Sequence, residues 1–249
     1  MIVDSTARAL LDIAGYYRSK FDVKVVGVTG SVGKTTTKDM IALVVAQKYK
    51  TLKTQGNHNN EIGMPQTLFG LDSSYEAAVI EMGMSHQGEI SRMSMSCQPD
   101  VAVITNIGIS HIENLGTQEN ILKAKLEILD GAAYDAPLIL CRDDKLLAGV
   151  QLHSDRKVYY YSVSKKDCDV YASGVKTVDN SITFTINYEG GKIAAQINCL
   201  GEHNVKNALA AFCVGLALDI PPEDIVKGIA QFKPEGLRQN VTVIDGVTY

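Results

Sequence analysis

The sequence predicts an α/β fold: a doubly wound, mostly parallel sheet of the phosphate-loop type with an antiparallel β extension. Short continuous apolar runs at 77–82, 101–105 and 137–141 alternate with helical patterns, and a glycine-rich turn follows the apolar run 23–28. Such runs are typical of strands buried on both faces of a parallel sheet. Their alternation with helices indicates crossover connections.

The first half of the chain gives these elements in order. A helix is predicted from a cap at Asp4 or Ser5 to about residue 21, and its expected apolar stripe is Leu10, Ile13, Ala14, Tyr17 and Phe21. After strand 23–28, a helix over 34–48 is expected to pack through Met40, Ile41, Val44 and Val45. Residues 51–66 are too rich in Asn and Gly for a regular element. A further helix is predicted over 118–132.

The pattern changes to β structure after residue 156. Four segments rich in β-branched and aromatic residues predict an antiparallel meander, with turns at Asp179–Asn180 and Gly190–Gly191. Two helices follow at about 204–218 and 222–232, and Pro222 suits the first turn of the second. This part is expected to extend the main sheet.

Composition limits the classes of function. The 249 residues are 45% hydrophobic and 21% charged, which is ordinary for a globular protein. The net charge of −4 predicts no nucleic-acid partner. No apolar run approaches the ~20 residues of a membrane span, and no secretory signal is visible. Five scattered cysteines indicate reduced thiols in a cytoplasmic protein.

The segment TGSVGKTT at 29–36 is the strongest functional signal. Its glycines let backbone N–H groups approach phosphates, Lys34 would neutralise the terminal phosphates, and the Thr35 hydroxyl would bind Mg²⁺. The strict pattern has glycine where this chain has Val28, so a glycine turn with a surface lysine is the alternative. The residues predicted to contact the nucleotide here are Thr29, Gly30, Ser31, Val32, Gly33, Lys34, Thr35 and Thr36.

Glu81 and His111 follow two of the predicted strands. Ligands gather at the carboxyl ends of strands in open α/β sheets. Glu81 would therefore bind Mg²⁺ directly or through water, and His111 could ligate a metal through a neutral imidazole. The ordinary alternatives are a strand-end ion pair for Glu81 and a solvated loop histidine.

Two cations are candidates for phosphate chemistry. Lys125 shares a helix face with Ile121, Ile128 and Leu129, so burial would lower its pKa and favour the neutral amine. A neutral amine can react with CO₂ to give a carbamate that bridges Mg²⁺, whereas a snorkelling ammonium is the alternative. Arg238 could clamp a phosphate through its planar guanidinium.

Asparagines mark two further segments. Asn204 and Asn207 lie three apart at a helix start, where they could read an adenine edge or serve as caps. The segment GNHNNEIGMP contains Asn57, Asn59 and Asn60, which could be turn formers only.

With these residues assembled, the chain resembles the Mur ligase superfamily, most closely the central ATP-binding domain of its D-alanyl-D-alanine-adding branch. The shared segments, in family order, are TGSVGKTTTK (29–38), GNHNNEIGMP (56–65), EMGMSHQGEI (81–90), TNIGISH (105–111), AKLEI (124–128), GEHNVKNALAA (201–211) and GLRQNV (236–241). The family loop T-G-x-x-G-K-T also accounts for Val28.

The resemblance implies ATP and Mg²⁺ as cofactors and a role for each site residue. The implied catalytic residues are Lys34, Glu81, His111 and Lys125, the last as a carbamate; Thr35, Glu81, His111 and Lys125 would be the metal ligands. Asn204 and Asn207 would face the adenine, and Arg238 would approach the phosphates or the domain hinge. Asn57, Asn59 and Asn60 would border the acyl-acceptor cleft.

The implied activity is ATP-dependent amide-bond ligation in peptidoglycan precursor synthesis. ATP would phosphorylate the carboxylate of a UDP-MurNAc-tripeptide, and the amine of D-Ala-D-Ala would attack the acyl phosphate. The resemblance divides the chain into an N-terminal helix or linker (1–22), the central ATPase domain (23–240) and the start of a linker to a C-terminal domain (241–249). We therefore expect a monomeric fragment that binds ATP and does not ligate efficiently alone.

Two other functions remain open from the sequence. One is a folylpolyglutamate-type or cyanophycin-type ligase of the same superfamily, which would share the loop and the lysine but not EMGMSHQGEI. The other is a nucleotide-binding module without catalytic activity. A GTPase is not favoured, because the sequence has no N-K-x-D guanine-binding motif.

Overall fold

The computed structural model of the chain describes residues 2–152 and 155–234, and the backbone of 243–244 and 247–248. The strands are β1 (Lys24–Thr29), β2 (Thr51–Lys53), β3 (Ala77–Glu81), β4 (Val101–Ile104), β5 (Leu138–Cys141), β6 (Val158–Ser162), β7 (Val170–Val178), β8 (Ser181–Tyr188), β9 (Gly191–Ile197), β10 (Val243–Ile244) and β11 (Val247–Thr248).

The helices are α1 (Thr6–Arg18), α2 (Lys34–Val45), α3 (Gly63–Leu68), α4 (Glu89–Cys97), α5 (Ile112–Leu115), α6 (Gln118–Leu126), α7 (Lys145–Ala148), α8 (Glu202–Ala217) and α9 (Pro222–Ala230). A 3₁₀ turn, Glu127–Leu129, continues α6. Over the described ranges, none of these helices combines the length and apolarity that crossing a membrane requires.

One sheet of nine strands organises the described part of the chain. Its order is β2-β3-β1-β4-β5-β6-β7-β8-β9. The pairs from β2 to β7 are parallel, whereas β8 pairs antiparallel with β7 and β9. Strands β3, β4 and β5 are buried along their whole length, as continuous apolar runs predict.

Two groups of helices flank the sheet. In one, α2 packs against α8 and α9; in the other, α1 packs against α3 and α4. Close packing in the first group depends on Gly228, since a Cβ there would lie 2.7 Å from Val44 Cα. The arrangement aligns the carboxyl ends of β1, β3 and β4 at one edge of the sheet, where the predicted site residues follow.

The α/β class, the core strands and the two C-terminal helices are confirmed, but several details of the prediction are wrong. In the predicted stripe of α1, Ala14, Tyr17 and Phe21 do pack into or against the core, but Ile13 is 57% exposed and Leu11 is buried instead. The region 51–66 is not wholly irregular: Thr51–Lys53 forms β2 and α3 begins at Gly63. Pairing with β3 stabilises so short a strand, whatever its local propensity.

The antiparallel part is smaller than predicted. Strand β6 pairs in parallel with both β5 and β7, so antiparallel pairing begins only at β8. The turn at Asp179–Asn180 is confirmed, whereas the next turn is at Glu189–Gly190, one residue earlier than predicted. The helix predicted over 118–132 ends at Leu126. Arg238 lies outside the described residues. Of the predicted linker at 241–249, only the backbone of 243–244 and 247–248 is described.

Candidate functional site

The turn between β1 and α2 has the backbone of an anion-binding loop. Gly30 and Gly33 have φ values of +150° and +79°, and a Cβ on Gly30 would lie 1.9 Å from Thr105 Oγ1. The first α-helical bond joins Thr37 N–H to Gly33 O at 2.9 Å. The N–H groups before Thr37 therefore have no acceptor within the helix, and they lie at its positive end. This geometry favours a bound phosphate.

A cavity of about 550 Å³ opens in front of this loop. Its wall is formed by residues 31–36 together with Asn57, Asn59, Glu81, His203 and Asn207. Thr29, the last residue of β1, and Gly30, the first residue of the loop, do not line the cavity. Lys34 Nζ donates to Gly30 O at 3.0 Å and to Ser31 O at 3.3 Å. Its positive charge is therefore held inside the curve of the loop.

Glu81 supplies the negative charge of the cavity. The residue is completely buried at the end of β3, and its Oε1 accepts from Asn59 Nδ2 at 2.7 Å and from Thr35 Oγ1 at 3.3 Å. Its backbone N–H donates to Thr54 Oγ1 at 3.0 Å. Glu81 Oε2 has no hydrogen-bond partner among the described residues. An unpartnered buried carboxylate oxygen is costly, and a cation would offset that cost.

The residues present fit Mg²⁺, which prefers oxygen ligands. The Glu81 carboxylate and the Thr35 hydroxyl provide them on one side of the cavity. The part of the chain that the structure describes contains no group of three His, Cys, Asp or Glu side chains able to hold a metal. A Mg²⁺ ion here would need phosphate or water oxygens for its remaining ligands, as is usual for this ion.

His111 and Lys125 lie outside the cavity wall. His111 precedes α5 with φ +62° and is partly exposed. Lys125 is only 3% exposed, and burial, followed by the positive charge of Lys34, lowers its pKa from 10.5 to about 7. The predicted desolvation of Lys125 is confirmed, which removes the snorkelling alternative. Its carbamate and the metal role of His111 stay predictions.

The two helix asparagines occupy different environments. Asn207 lines the cavity, and its Oδ1 accepts from Thr37 Oγ1 at 3.0 Å. Asn204 is completely buried behind it, donating to Leu200 O at 2.7 Å while its Oδ1 accepts from Asn207 Nδ2 at 3.1 Å. The geometry thus gives Asn204 a role in orienting Asn207, and only Asn207 is available to a ligand in the cavity.

The three loop asparagines also differ. Asn57 and Asn59 line the cavity. Asn60 does not, because its Oδ1 accepts from the N–H groups of Ile62 (3.1 Å) and Gly63 (2.8 Å) and so stabilises the start of α3. For Asn60 the turn-forming alternative describes the structure.

Two residues of the site were missed from the sequence. Asn106 pairs with the loop residue Val32, accepting from its N–H at 3.0 Å and donating to its carbonyl at 2.8 Å. His203 lines the cavity from the first turn of α8. Asn106 follows β4 as Glu81 ends β3, so the same strand-end rule could have marked it as a candidate, although not its contacts with Val32.

In this mostly parallel sheet, β1 runs through a glycine loop into α2, and a buried glutamate ends the neighbouring strand β3. These features define a phosphate-loop α/β domain. The chain belongs to the Mur ligase middle domain family, whose family model matches residues 28–215. This confirms the resemblance drawn from the sequence.

Named relatives are ligases. The chain is 42% identical to the UDP-N-acetylmuramoyl-tripeptide–D-alanyl-D-alanine ligase of Bacillus subtilis, over 98% of this chain and 52% of the relative. The corresponding ligase of Escherichia coli is 32% identical, over 98% and 56%. The chain thus spans about half the length of the curated relatives it matches.

Solved structures agree with these relatives. MurF from Acinetobacter baumannii superposes with a TM-score of 0.93 and 34% identity, covering 100% of this chain and 55% of that one. MurF ligase from Thermotoga maritima, in complex with ADP, gives a TM-score of 0.90 and 28% identity, covering 100% and 57%.

Proposed function

We propose that this chain is the ATP-binding central part of a ligase that joins D-Ala-D-Ala to a UDP-MurNAc-tripeptide through an acyl phosphate. The observation that carries the proposal is a single cavity that combines the phosphate loop with the unpartnered oxygen of Glu81. The names of the relatives, and the ADP in the Thermotoga maritima complex, support it.

The phosphate loop would bind the polyphosphate of ATP. The N–H groups of Gly33, Thr35 and Thr36 belong to the start of α2, where no helical acceptor is available. Lys34 adds a formal positive charge on the same side of the cavity. Backbone donors and a lysine at one helix start bind phosphates with little reorganisation.

Glu81 and Thr35 would hold Mg²⁺ beside those phosphates. Bound there, Mg²⁺ would neutralise charge on the phosphoryl oxygens and draw the two anionic reactants together. Asn59 fixes Glu81 by donating to Oε1, and Thr54 fixes its backbone. These contacts leave Oε2 without a protein donor among the described residues.

Lys125 would act as a carbamate. With a pKa of about 7, a substantial fraction of its side chain is neutral amine near neutral pH. The neutral amine nitrogen attacks CO₂ and forms the N–C bond as one C=O π bond opens, and it loses one proton to water, so a buried neutral amine becomes an anion. That conversion would also replace repulsion from Lys34 by attraction. His111 would complete a second metal position.

The remaining assignments concern substrates and the rest of the enzyme. Asn57 and Asn59, which line the cavity, would border the peptide substrate, and Asn207 would contact adenine. Residues 23–240 would form the central domain, with Arg238 near the phosphates or the domain hinge. The protein would be a monomer in the cytoplasm, as expected for this biosynthetic step.

Calorimetric titration with ADP, with and without MgCl₂, tests the nucleotide site. Lys34→Ala should weaken binding about 10- to 100-fold, because it removes a charge-assisted contact. Lys24→Ala is the matched control, since Lys24 is exposed at the opposite end of β1. No binding by the unaltered chain, or equal binding by Lys34→Ala, would overturn the proposal.

The carbamate has its own test. Carbon-13 NMR of the chain in labelled bicarbonate should give a carbamate signal that disappears in Lys125→Met. Lys123→Met, an exposed lysine two residues earlier on α6, should retain the signal. A spectrum without any such signal would remove the carbamate and leave the nucleotide site unaffected.

A further inference from the structure

One side chain, that of Asn106, bonds to both backbone polar groups of Val32 at the tip of the phosphate loop. Asn106 follows β4, and its amide makes both bonds that a neighbouring strand would make to Val32: Oδ1 accepts from Val32 N–H at 3.0 Å and Nδ2 donates to Val32 O at 2.8 Å. The planar amide of Asn or Gln presents a donor and an acceptor in this fixed arrangement at any ordinary pH. The Val32 side chain is 63% exposed, so packing contributes little at this position.

Further hydrogen bonds join the loop to the segment 105–108. Ser31 N–H donates to Asn106 O at 3.1 Å, Thr105 Oγ1 donates to Val32 O at 2.8 Å, and Gly108 N–H donates to Ser31 Oγ at 2.8 Å. The segment is itself fixed, because Ile107 N–H donates to Asp144 Oδ2 at 2.7 Å.

These contacts divide the backbone donors of the loop into two sets. The N–H groups of Ser31 and Val32 are directed to the 105–108 segment. Those of Gly33 and Thr35 belong to the start of α2, which opens into the cavity. The first set therefore sets the path of the loop, and the second set remains for an anion.

We propose that Asn106 is the positioning residue that aims the phosphate loop, by holding both polar groups of the Val32 peptide so that the donors at the start of α2 converge on a nucleotide polyphosphate. The proposal rests on the nucleotide-binding function proposed above. Asn106 does not line the cavity. Its side chain contacts the loop through Val32 and also donates to Thr105 Oγ1 at 3.3 Å.

The test compares Asn106→Ala and Asn106→Asp with the same changes at Asn114. Asn114 is exposed on α5, eight residues further along the chain, and its side chain makes no hydrogen bond within the described ranges. The probe is ADP with MgCl₂, measured by calorimetry. Asn106→Ala should weaken ADP binding about tenfold, since two neutral hydrogen bonds are lost. Both Asn114 variants should stay within about twofold of the unaltered chain.

Measuring ADP binding over a range of pH distinguishes a specific effect of Asn106 on the position of the loop from a general loss of local stability. In Asn106→Asp a carboxylate faces Val32 O at high pH, whereas the protonated acid can again donate to that carbonyl and accept from Val32 N–H. Because an ordinary Asp carboxyl has a pKa of about 3.9, its deficit relative to the unaltered chain should shrink at least about threefold between pH 8 and pH 4. The deficit of Asn106→Ala should not change with pH, nor should that of Asn114→Asp.

Amide hydrogen exchange without nucleotide gives a second measurement. Exchange of the Ser31 and Val32 amides should accelerate in Asn106→Ala while the core strands remain protected. An unaltered chain that does not bind ADP overturns the proposed function and this inference with it. If the unaltered chain binds ADP, two results would overturn this inference alone. One is equal binding by Asn106→Ala, and the other is a pH-independent deficit in Asn106→Asp.

Discussion

Replacement of Lys125 by Met should stabilise the protein, and the gain should fall as the pH rises. Lys125 is 3% exposed and its pKa is lowered to about 7, first by burial and then by Lys34. Met has a similar length and no charge, so it keeps most of the packing of α6 while removing a cation from an apolar environment.

The pKa shift of Lys125 sets the size of the expected gain in the free energy of unfolding. A fall from 10.5 to about 7 corresponds to at most about 5 kcal/mol against the folded state, at about 1.4 kcal/mol per unit. Below pH 7 the amine is protonated in both states, so the full cost applies. Between pH 7 and pH 10.5 the unfolded chain binds one more proton, so stability rises with pH and the cost disappears.

The free energies of unfolding of the unaltered chain and of Lys125→Met are measured by urea denaturation at pH 6 and pH 9, without nucleotide and in buffer depleted of CO₂. The advantage of Lys125→Met should be smaller at pH 9 than at pH 6 by about 3 kcal/mol. Lys123→Met, on the exposed side of α6, should change stability equally at both pH values. A pH-independent gain for Lys125→Met, or no gain at all, would refute the buried neutral amine.

Three other changes test the surroundings of the loop. Gly30→Ala would put a methyl group 1.9 Å from Thr105 Oγ1; it should abolish ADP binding in calorimetry and lower the free energy of unfolding by about 1–3 kcal/mol. Glu81→Gln removes the charge opposite Thr35, so MgCl₂ should no longer strengthen ADP binding relative to EDTA. Asp144→Ala removes the cap of α7 and the bond to Ile107 N–H, which should cost about 1–2 kcal/mol in urea denaturation.

Each change has a matched control at an undemanding position. Gly149→Ala meets its nearest atoms only at 3.7 Å, and Glu113→Gln and Asp130→Ala alter exposed side chains. If a control variant had the same effect as the variant it is matched with, the contact proposed to cause that effect would be refuted. Retention of the Mg²⁺ effect in Glu81→Gln would exclude this carboxylate as a ligand.

Local features of the chain predicted most of the binding loop. Two glycines, a lysine and the start of a helix occupy consecutive positions between β1 and α2, so no distant contact is needed to identify them. Burial of Lys125 was likewise predictable, because helical spacing alone assigns it to the apolar face of α6.

Details of the site that depend on distant contacts were less predictable. The rule that ligands gather at strand ends applied to both Glu81 and His111, yet only Glu81 lines the cavity. The rule assigns an edge of the sheet, whereas the direction of a side chain depends on the path of the loop that follows. For the same reason the contacts of Asn60 and Asn106 could not be assigned from their positions.

The sequence by itself determined the α/β class, the buried strands, the phosphate loop and the family, because these depend on periodicity and on contiguous residues. The tertiary structure alone decided that β6 pairs in parallel, that Glu81 Oε2 lacks a donor, and that Asn106 holds Val32. Each of these joins residues separated along the chain, and such contacts form only when the strands assemble in one order and register.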